Sequence, residues 1–257
     1  MSQRFYLNCA LGVLLGLPAF GADSILVVDR GLPQINLNNS SGPVRSNVRW
    51  GWYDQGFLGD SFTIGAPGEK WVIDSIRTWT VPGDAGAQPA QLGDFYQDVR
   101  LYFGRGQTDL TPVAAGALNA GSSETSNPNI QISEATQGGS PLYDDFGSAL
   151  RVWQVDFRNL NLAVDGGASY HFGVWGLGRP EPGSSSKAYP WFTHASNAAL
   201  SGAAQDGADG TMLLFDAGGR FQGTFSAQGS GWDKPADLNV QVFAHRVRTR
   251  AGSTSLQ

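Results

Sequence analysis

Leu238-Asn-Val-Gln-Val-Phe-Ala244 is the stretch that decides the fold class. Leu238, Val240, Val242 and Ala244 fall on one face of an extended chain, and Asn239, Gln241 and Phe243 on the other. Successive side chains of a strand point to opposite faces, so this alternation is what a half-buried antiparallel strand requires. Asp98-Val-Arg-Leu-Tyr-Phe103 repeats it, with Val99, Leu101 and Phe103 together. Trp153, Val155 and Phe157 alternate in the same way, as does Tyr170-His-Phe-Gly-Val174.

Outward from these, strands are expected over residues 24–29, 48–53, 61–64, 71–81, 129–135, 189–193, 212–216 and 221–225. The best helix candidate is a turn or two over residues 195–200. Glycine and proline punctuate the gaps, as in Gly65-Ala-Pro-Gly68 and Pro82-Gly83. Asp216-Ala-Gly-Gly-Arg220 reads as a hairpin turn between two apolar runs. Many short strands with such turns predict an all-β fold, an antiparallel β-sandwich of jelly-roll type. Three connections, residues 82–94, 116–128 and 177–187, are longer than plain turns, and loops of that kind often carry function.

The N-terminus reads as an export signal. Arg4 is its only charge, Leu11-Gly-Val-Leu-Leu-Gly-Leu17 is its apolar run, and Ala19 and Gly21 are the small residues of a cleavage site. The expected organisation is a signal peptide (1–21), one sandwich domain (22–248) and a polar tail (249–257). The apolar run is short of the ~20 residues a bilayer core needs, so no membrane span is expected. The only cysteine, Cys9, lies inside the signal, which leaves the mature chain without disulfides or thiolate ligands. The formal net charge is −5, and no basic face suited to nucleic acid is visible. These features point to a secreted or periplasmic protein.

Several segments together carry a family likeness. They are Glu69-Lys-Trp-Val-Ile-Asp-Ser-Ile-Arg-Thr-Trp79, Asp98-Val-Arg-Leu-Tyr-Phe103, Trp153-Gln-Val-Asp-Phe-Arg-Asn-Leu-Asn-Leu162, Gly166-Gly-Ala-Ser-Tyr170 and the closing run from Asp237 to Ala244. Their order resembles the secreted bacterial jelly-roll proteins associated with exosortase-type and other surface anchors. The resemblance implies an extracellular module and assigns no activity. The C-terminus departs from that group, with no Pro-Glu-Pro anchor, apolar helix and basic tail.

Three sets of residues are candidates for function. Exposed aromatic rings stack on the apolar faces of sugars, and Trp50, Trp52, Trp191 and Trp232, with Asn197, are the expected ligand-binding residues. Trp71, Trp153 and Trp175 sit within apolar strands and are expected in the core. Tyr189 and His194, with Arg151 or Arg179, form the set that elimination on a uronate would use: a cation on the carboxylate and a base for the C5 proton. The plainer reading makes that segment a core strand capped by a polar turn. Asp206 and Asp209, on the glycine-rich turn Gln205-Asp-Gly-Ala-Asp-Gly210, are candidate ligands for a structural calcium ion, with an Asp/Gly turn bonding its own backbone as the alternative.

Other chemistry is poorly served. No strand presents two acids on one face for glycoside hydrolysis. No Gly-x-Ser-x-Gly elbow occurs, and His171, His194 and His245 lack zinc spacing. The leading expectation is a non-catalytic secreted module binding a glycan or another extracellular polymer. A polysaccharide lyase and a structural envelope or matrix protein are the alternatives.

Overall fold

The computed structural model describes residues 24–32, 47–50, 56–82, 91–106, 109–142, 151–181, 183, 187–197, 206–207, 209–226 and 236–247. The strands in chain order are β1 (Ile25–Asp29), β2 (Asn47–Trp50), β3 (Gly56–Thr63), β4 (Lys70–Pro82), β5 (Asp98–Arg105), β6 (Thr111–Ala117), β7 (Ile130–Glu134), β8 (Thr136–Gln137) and β9 (Ser140–Pro141). They continue with β10 (Trp153–Phe157), β11 (Leu162–Asp165), β12 (Ser169–Trp175), β13 (Trp191–Asn197), β14 (Met212–Asp216), β15 (Phe221–Phe225), β16 (Ala236–Leu238) and β17 (Val240–Arg246). A 3-10 turn spans Leu92–Asp94. Among the described residues no helix is long and apolar enough to cross a membrane.

Two antiparallel sheets form a β-sandwich. The first runs β1-β17-β4-β10-β7, with β11 and β13 also on β4, and β2 and β16 on β13. The second runs β15-β14-β3-β12-β5-β6. The jelly-roll winding is a finer expectation than these two strand orders carry.

The long strand β4 is the spine of the first sheet. One edge pairs with β11 and β10, the other with β17 and β13, and Thr80 is opposite both Trp153 and Thr193. A bulge interrupts the β17 pairing, stepping from Ser75 opposite Phe243 to Ile73 opposite Ala244. The extra residue lets Ile73 and Ile76 both turn inward. The carboxylate of Asp74 at the bulge accepts hydrogen bonds from Ser24 Oγ and pairs with His245 Nδ1, each at 2.8 Å.

The core lies between the sheets, where the period-two pattern places it. Leu238, Val240, Val242 and Ala244 are fully buried, and meet Leu101, Phe172 and Val174 within one cluster. A second cluster of Phe57, Tyr102, Leu110, Leu213 and Phe215 sits apart from it. It lies on the outer face of the second sheet, because Tyr102 alternates with the core residues Leu101 and Phe103. The helix expected over residues 195–200 is replaced by strand as far as Asn197. Ala195, Ser196 and Asn197 pair with Leu238, Asp237 and Ala236, so sheet hydrogen bonding outweighs the local helical preference of the alanines.

Candidate functional site

At the end where β4 begins, residues of both sheets line a groove of about 430 Å³. Lys70 and Trp71 come from the first residues of β4, and Ala163, Val164 and Asp165 from β11. The second sheet contributes Phe103, Gly104 and Arg105 from the end of β5, and Tyr170 from the start of β12. Register brings them together: Asp165 pairs with Lys70, and Tyr170 pairs with Arg105.

The floor of the groove is made of core rings, with Phe103 8 % and Tyr170 5 % exposed. The rings of Phe103 and Tyr170 stack at 5.5 Å with an interplanar angle of 6°. Tyr170 is held in place because its hydroxyl oxygen accepts the backbone N–H of Asp165 at 2.7 Å. Trp71 stands on the opposite sheet, half-buried, and its Nε1–H donates to Glu69 Oε2 at 3.0 Å. The other oxygen of Glu69 pairs with Arg246 at 3.1 Å.

Charge lies at the rim. Asp165 Oδ1 is bound by Lys70 Nζ, and its Oδ2 accepts Arg105 Nη1–H at 2.9 Å. The cationic side chains are 62 % and 63 % exposed, so their heads lie in water. The tight turn Gly166-Gly167 follows Asp165. A Cβ on Gly166 would come within 2.2 Å of the Ala66 carbonyl oxygen, so the loop before β4 packs directly on this turn. The Lys70 ammonium, then Arg105, hold the Asp165 carboxyl below the usual carboxylate range. Hydrogen bonds from the Ala66 N–H and the Trp71 indole do the same for Glu69. Both acids are kept ionised and neither is set to donate a proton, which glycoside hydrolysis would require.

Of the residues expected to form a site, those whose side chains are described are buried or paired with other side chains. Tyr189 is buried with its ring edge-on to Phe95 at 5.0 Å, and burial pushes its phenol up. Trp191, expected as an exposed stacking ring, is only 3 % exposed and packs on Tyr96 at 4.7 Å. His194 has no exposed surface; burial pushes its imidazole down to about 3, and contact with Asn239 offsets this only in part. It offers no nitrogen to a substrate arriving from solvent. Arg151 forms an ion pair with Glu134 beside β10, on the far edge of β4 from His194. Trp52 and Trp232 lie outside the described residues, and for Trp50 and Asn197 only the strand backbone is described.

A buried guanidinium stands beside the acidic group to which Asp209 belongs. The carboxylates of Asp60, Asp209 and Asp237 gather within 4.8 Å of one another, and Asp206 is not among them. Arg30 Nη1 stands 2.9 Å from Asp60 Oδ2 and 3.9 Å from Asp237 Oδ1, so the chain supplies its own cation. Arg30 also donates to the carbonyls of Asp206 and Gly207, each at 2.9 Å, and to that of Ser61. Asp209 accepts the Thr211 N–H at 2.8 Å, as a residue of an Asp/Gly turn does, whereas Asp206 reaches across to accept the Asp29 N–H of β1 at 2.8 Å.

Sequence reasoning missed the groove residues Lys70, Trp71, Arg105, Asp165 and Tyr170. Their signal was the position of each at a strand end, where an inward-facing side chain can reach the open end of a sandwich. No family model matches this chain, and comparison with curated proteins and with solved structures gave no match.

Proposed function

We propose that the protein is a secreted or periplasmic, non-catalytic module that binds glycan in the groove between Trp71 and the stacked pair Phe103–Tyr170. One observation carries the reading: the half-buried indole of Trp71 faces an open groove whose floor is the buried pair Phe103 and Tyr170 and whose rim is polar and charged. A sugar has the matching surface, with apolar C–H faces for aromatic rings and hydroxyls for charged rim groups. The ionised state of Asp165 and Glu69 supports binding without bond cleavage. The export signal expected over residues 1–21 supports an extracellular setting.

Affinity electrophoresis in gels containing neutral and acidic polysaccharides tests the reading. Retardation by at least one polymer is expected, and Trp71→Ala should abolish it. Trp71→Phe keeps the inner flank filled and should weaken it. If no neutral or acidic polymer retards the wild-type chain, the reading is wrong.

A further inference from the structure

We propose that the outer edge of β7, with the pocket beside it, takes an extended segment of a partner polypeptide as an added strand, and that a lysine or arginine of that segment meets Glu124. This surface is separate from the groove and shares no residue with it.

The edge is open. β7 ends the order of the first sheet, and β10 is its one paired neighbour among the described residues. The Arg158 N–H donates to the Asn129 carbonyl, and the Ala135 N–H to that of Val152, each at 2.8 Å. In an antiparallel pair these bonds alternate, so Gln131 and Ser133 also turn their backbone groups towards β10. Ile130, Ile132 and Glu134 turn theirs away. At Ile130 the preceding loop takes them: the N–H donates to the Asn127 carbonyl at 3.0 Å, and the carbonyl accepts the Thr125 hydroxyl at 3.3 Å. Ile132 and Glu134 continue that row with no such bond among the described residues, and offer a further strand their N–H and C=O groups.

Proteins ordinarily blunt such edges with bulges, charges or prolines. Of the strands that end the two sheet orders, β1, β6 and β15 each pair across a register shift. β7 pairs with β10 in unbroken register, and Ile130–Glu134 contains neither proline nor lysine.

The pocket supplies side-chain recognition. It measures about 320 Å³ and lies along this edge, between Ile130–Ile132 and the loop of residues 123–128. That loop is set by its own bonds. Ser123 Oγ accepts the Leu92 N–H at 2.9 Å and donates to Gln91 Oε1 at 2.8 Å. Asn127 donates from Nδ2 to the Ala115 carbonyl at 3.0 Å and accepts the Asn129 N–H at 3.0 Å. Those polar groups are spent on the fold. The Glu124 side chain is exposed at the pocket and makes no ion pair among the described residues, whereas Glu134 is paired with Arg151. Ile132 and Pro128 give the pocket apolar walls. An aliphatic stem ending in a cation fits this surface, and strand addition takes its affinity from main-chain bonds and its specificity from such a pocket.

Affinity selection on the full chain from a random library of peptides about six residues long, the usual length of a strand, tests the proposal. Recovered peptides should be rich in β-branched residues and share a lysine or arginine. Binding of a resynthesised peptide is then read by fluorescence anisotropy. Methylating every second backbone amide of the peptide should abolish binding in one phase and spare it in the other, because only one set faces β7. Glu124→Gln should weaken binding about tenfold, the worth of one charge-assisted contact, and should make no difference to a peptide whose basic residue is replaced by norleucine. The proposal is wrong if the protein selects no peptide, if both methylated phases bind alike, or if Glu124→Gln binds the basic peptide as tightly as wild type. A wild-type chain that sediments as a dimer, dissolved by Ile132→Pro, would give the edge to a second copy and overturn the partner proposed.

Discussion

Arg30 Nη1 and Asp60 Oδ2 form an ion pair at 2.9 Å that is closed to solvent on both sides. The pair ties the residue after β1, in the first sheet, to the middle of β3, in the second. Around it the backbone is also held: Asp60 accepts the Leu238 N–H at 2.8 Å, and Asp237 accepts the Gly210 N–H at 3.0 Å. This polar clasp links the two sheets, as do the contacts of Asp165 with Arg105 and with the Tyr170 hydroxyl.

Removing one partner of a buried pair strands the other charge. Arg30→Met should therefore cost roughly 3 to 5 kcal/mol of unfolding free energy. The stranded groups are the carboxylates of Asp60 and Asp237, so the cost should be smaller at pH 5 than at pH 8, where they must stay charged. Urea titrations of both proteins at the two pH values measure this. An equal loss at both would mean that Arg30 acts through its packing rather than its charge.

Two buried groups should pull the pH profile of stability in opposite directions. Desolvation pushes the Asp60 carboxyl up from 3.8 to about 6, against the pull of Arg30. The folded protein then holds a proton that the unfolded chain releases. The stability this provides is complete below pH 3.8 and is lost as pH rises through about 6. Burial lowers His194 from 6.5 to about 3, so its contribution is complete above pH 6.5 and is lost as pH falls towards 3. Between pH 6 and pH 4 the two slopes offset, each near ~1.4 kcal/mol per pH unit. His194→Gln should leave the Asp60 slope alone and make the protein gain stability on acidification over that range. Denaturation at pH 4, 5 and 6 checks this, and a variant that loses stability in parallel with the wild type would contradict it.

The outer aromatic cluster makes a steric prediction. Gly59 and Gly173 face each other across β3 and β12. A Cβ on Gly173 would lie 2.4 Å from a ring carbon of Phe57, and one on Gly59 would lie 2.6 Å from a ring carbon of Phe215. The glycines let these rings, stacked at 5.4 Å, lie flat on the sheet. Gly173→Ala should lower stability by about 1 to 3 kcal/mol, the usual cost of overpacking. A thermal melt within a degree of wild type would mean that the rings can lift at no cost.

How much of this was legible in the sequence depended on whether a feature was local. Val240, Val242, Val155 and Phe157 announced their buried face because alternation is a property of neighbours. The first half of β3, Gly-Phe-Leu-Gly-Asp, reads as turn, since its glycines serve rings on another strand. The edge strand β6, Thr-Pro-Val-Ala-Ala-Gly-Ala, carries weak strand formers and is held by its pairing with β5. Trp71 looked like core because its strand is apolar, and it does face inward. Its place at the start of β4, at the edge of the groove, leaves it half-buried. The Arg30–Asp60 clasp joins residues far apart in the chain, so neither charge points to the other.

Asp165 offers the sharpest separation of structural from binding effects in the groove. It is an exposed carboxylate bound by both Lys70 and Arg105. Asp165→Asn keeps the shape and the backbone N–H that Tyr170 accepts. It removes the counter-charge that Lys70 and Arg105 share. Retardation by an acidic polysaccharide should increase in about 50 mM NaCl, and it should fall more steeply with added salt than in the wild type. The melting temperature should stay close to wild type, because exposed ion pairs contribute little to stability. Weaker binding by Asp165→Asn would instead place this carboxylate on the sugar hydroxyls, with the cations serving to position it.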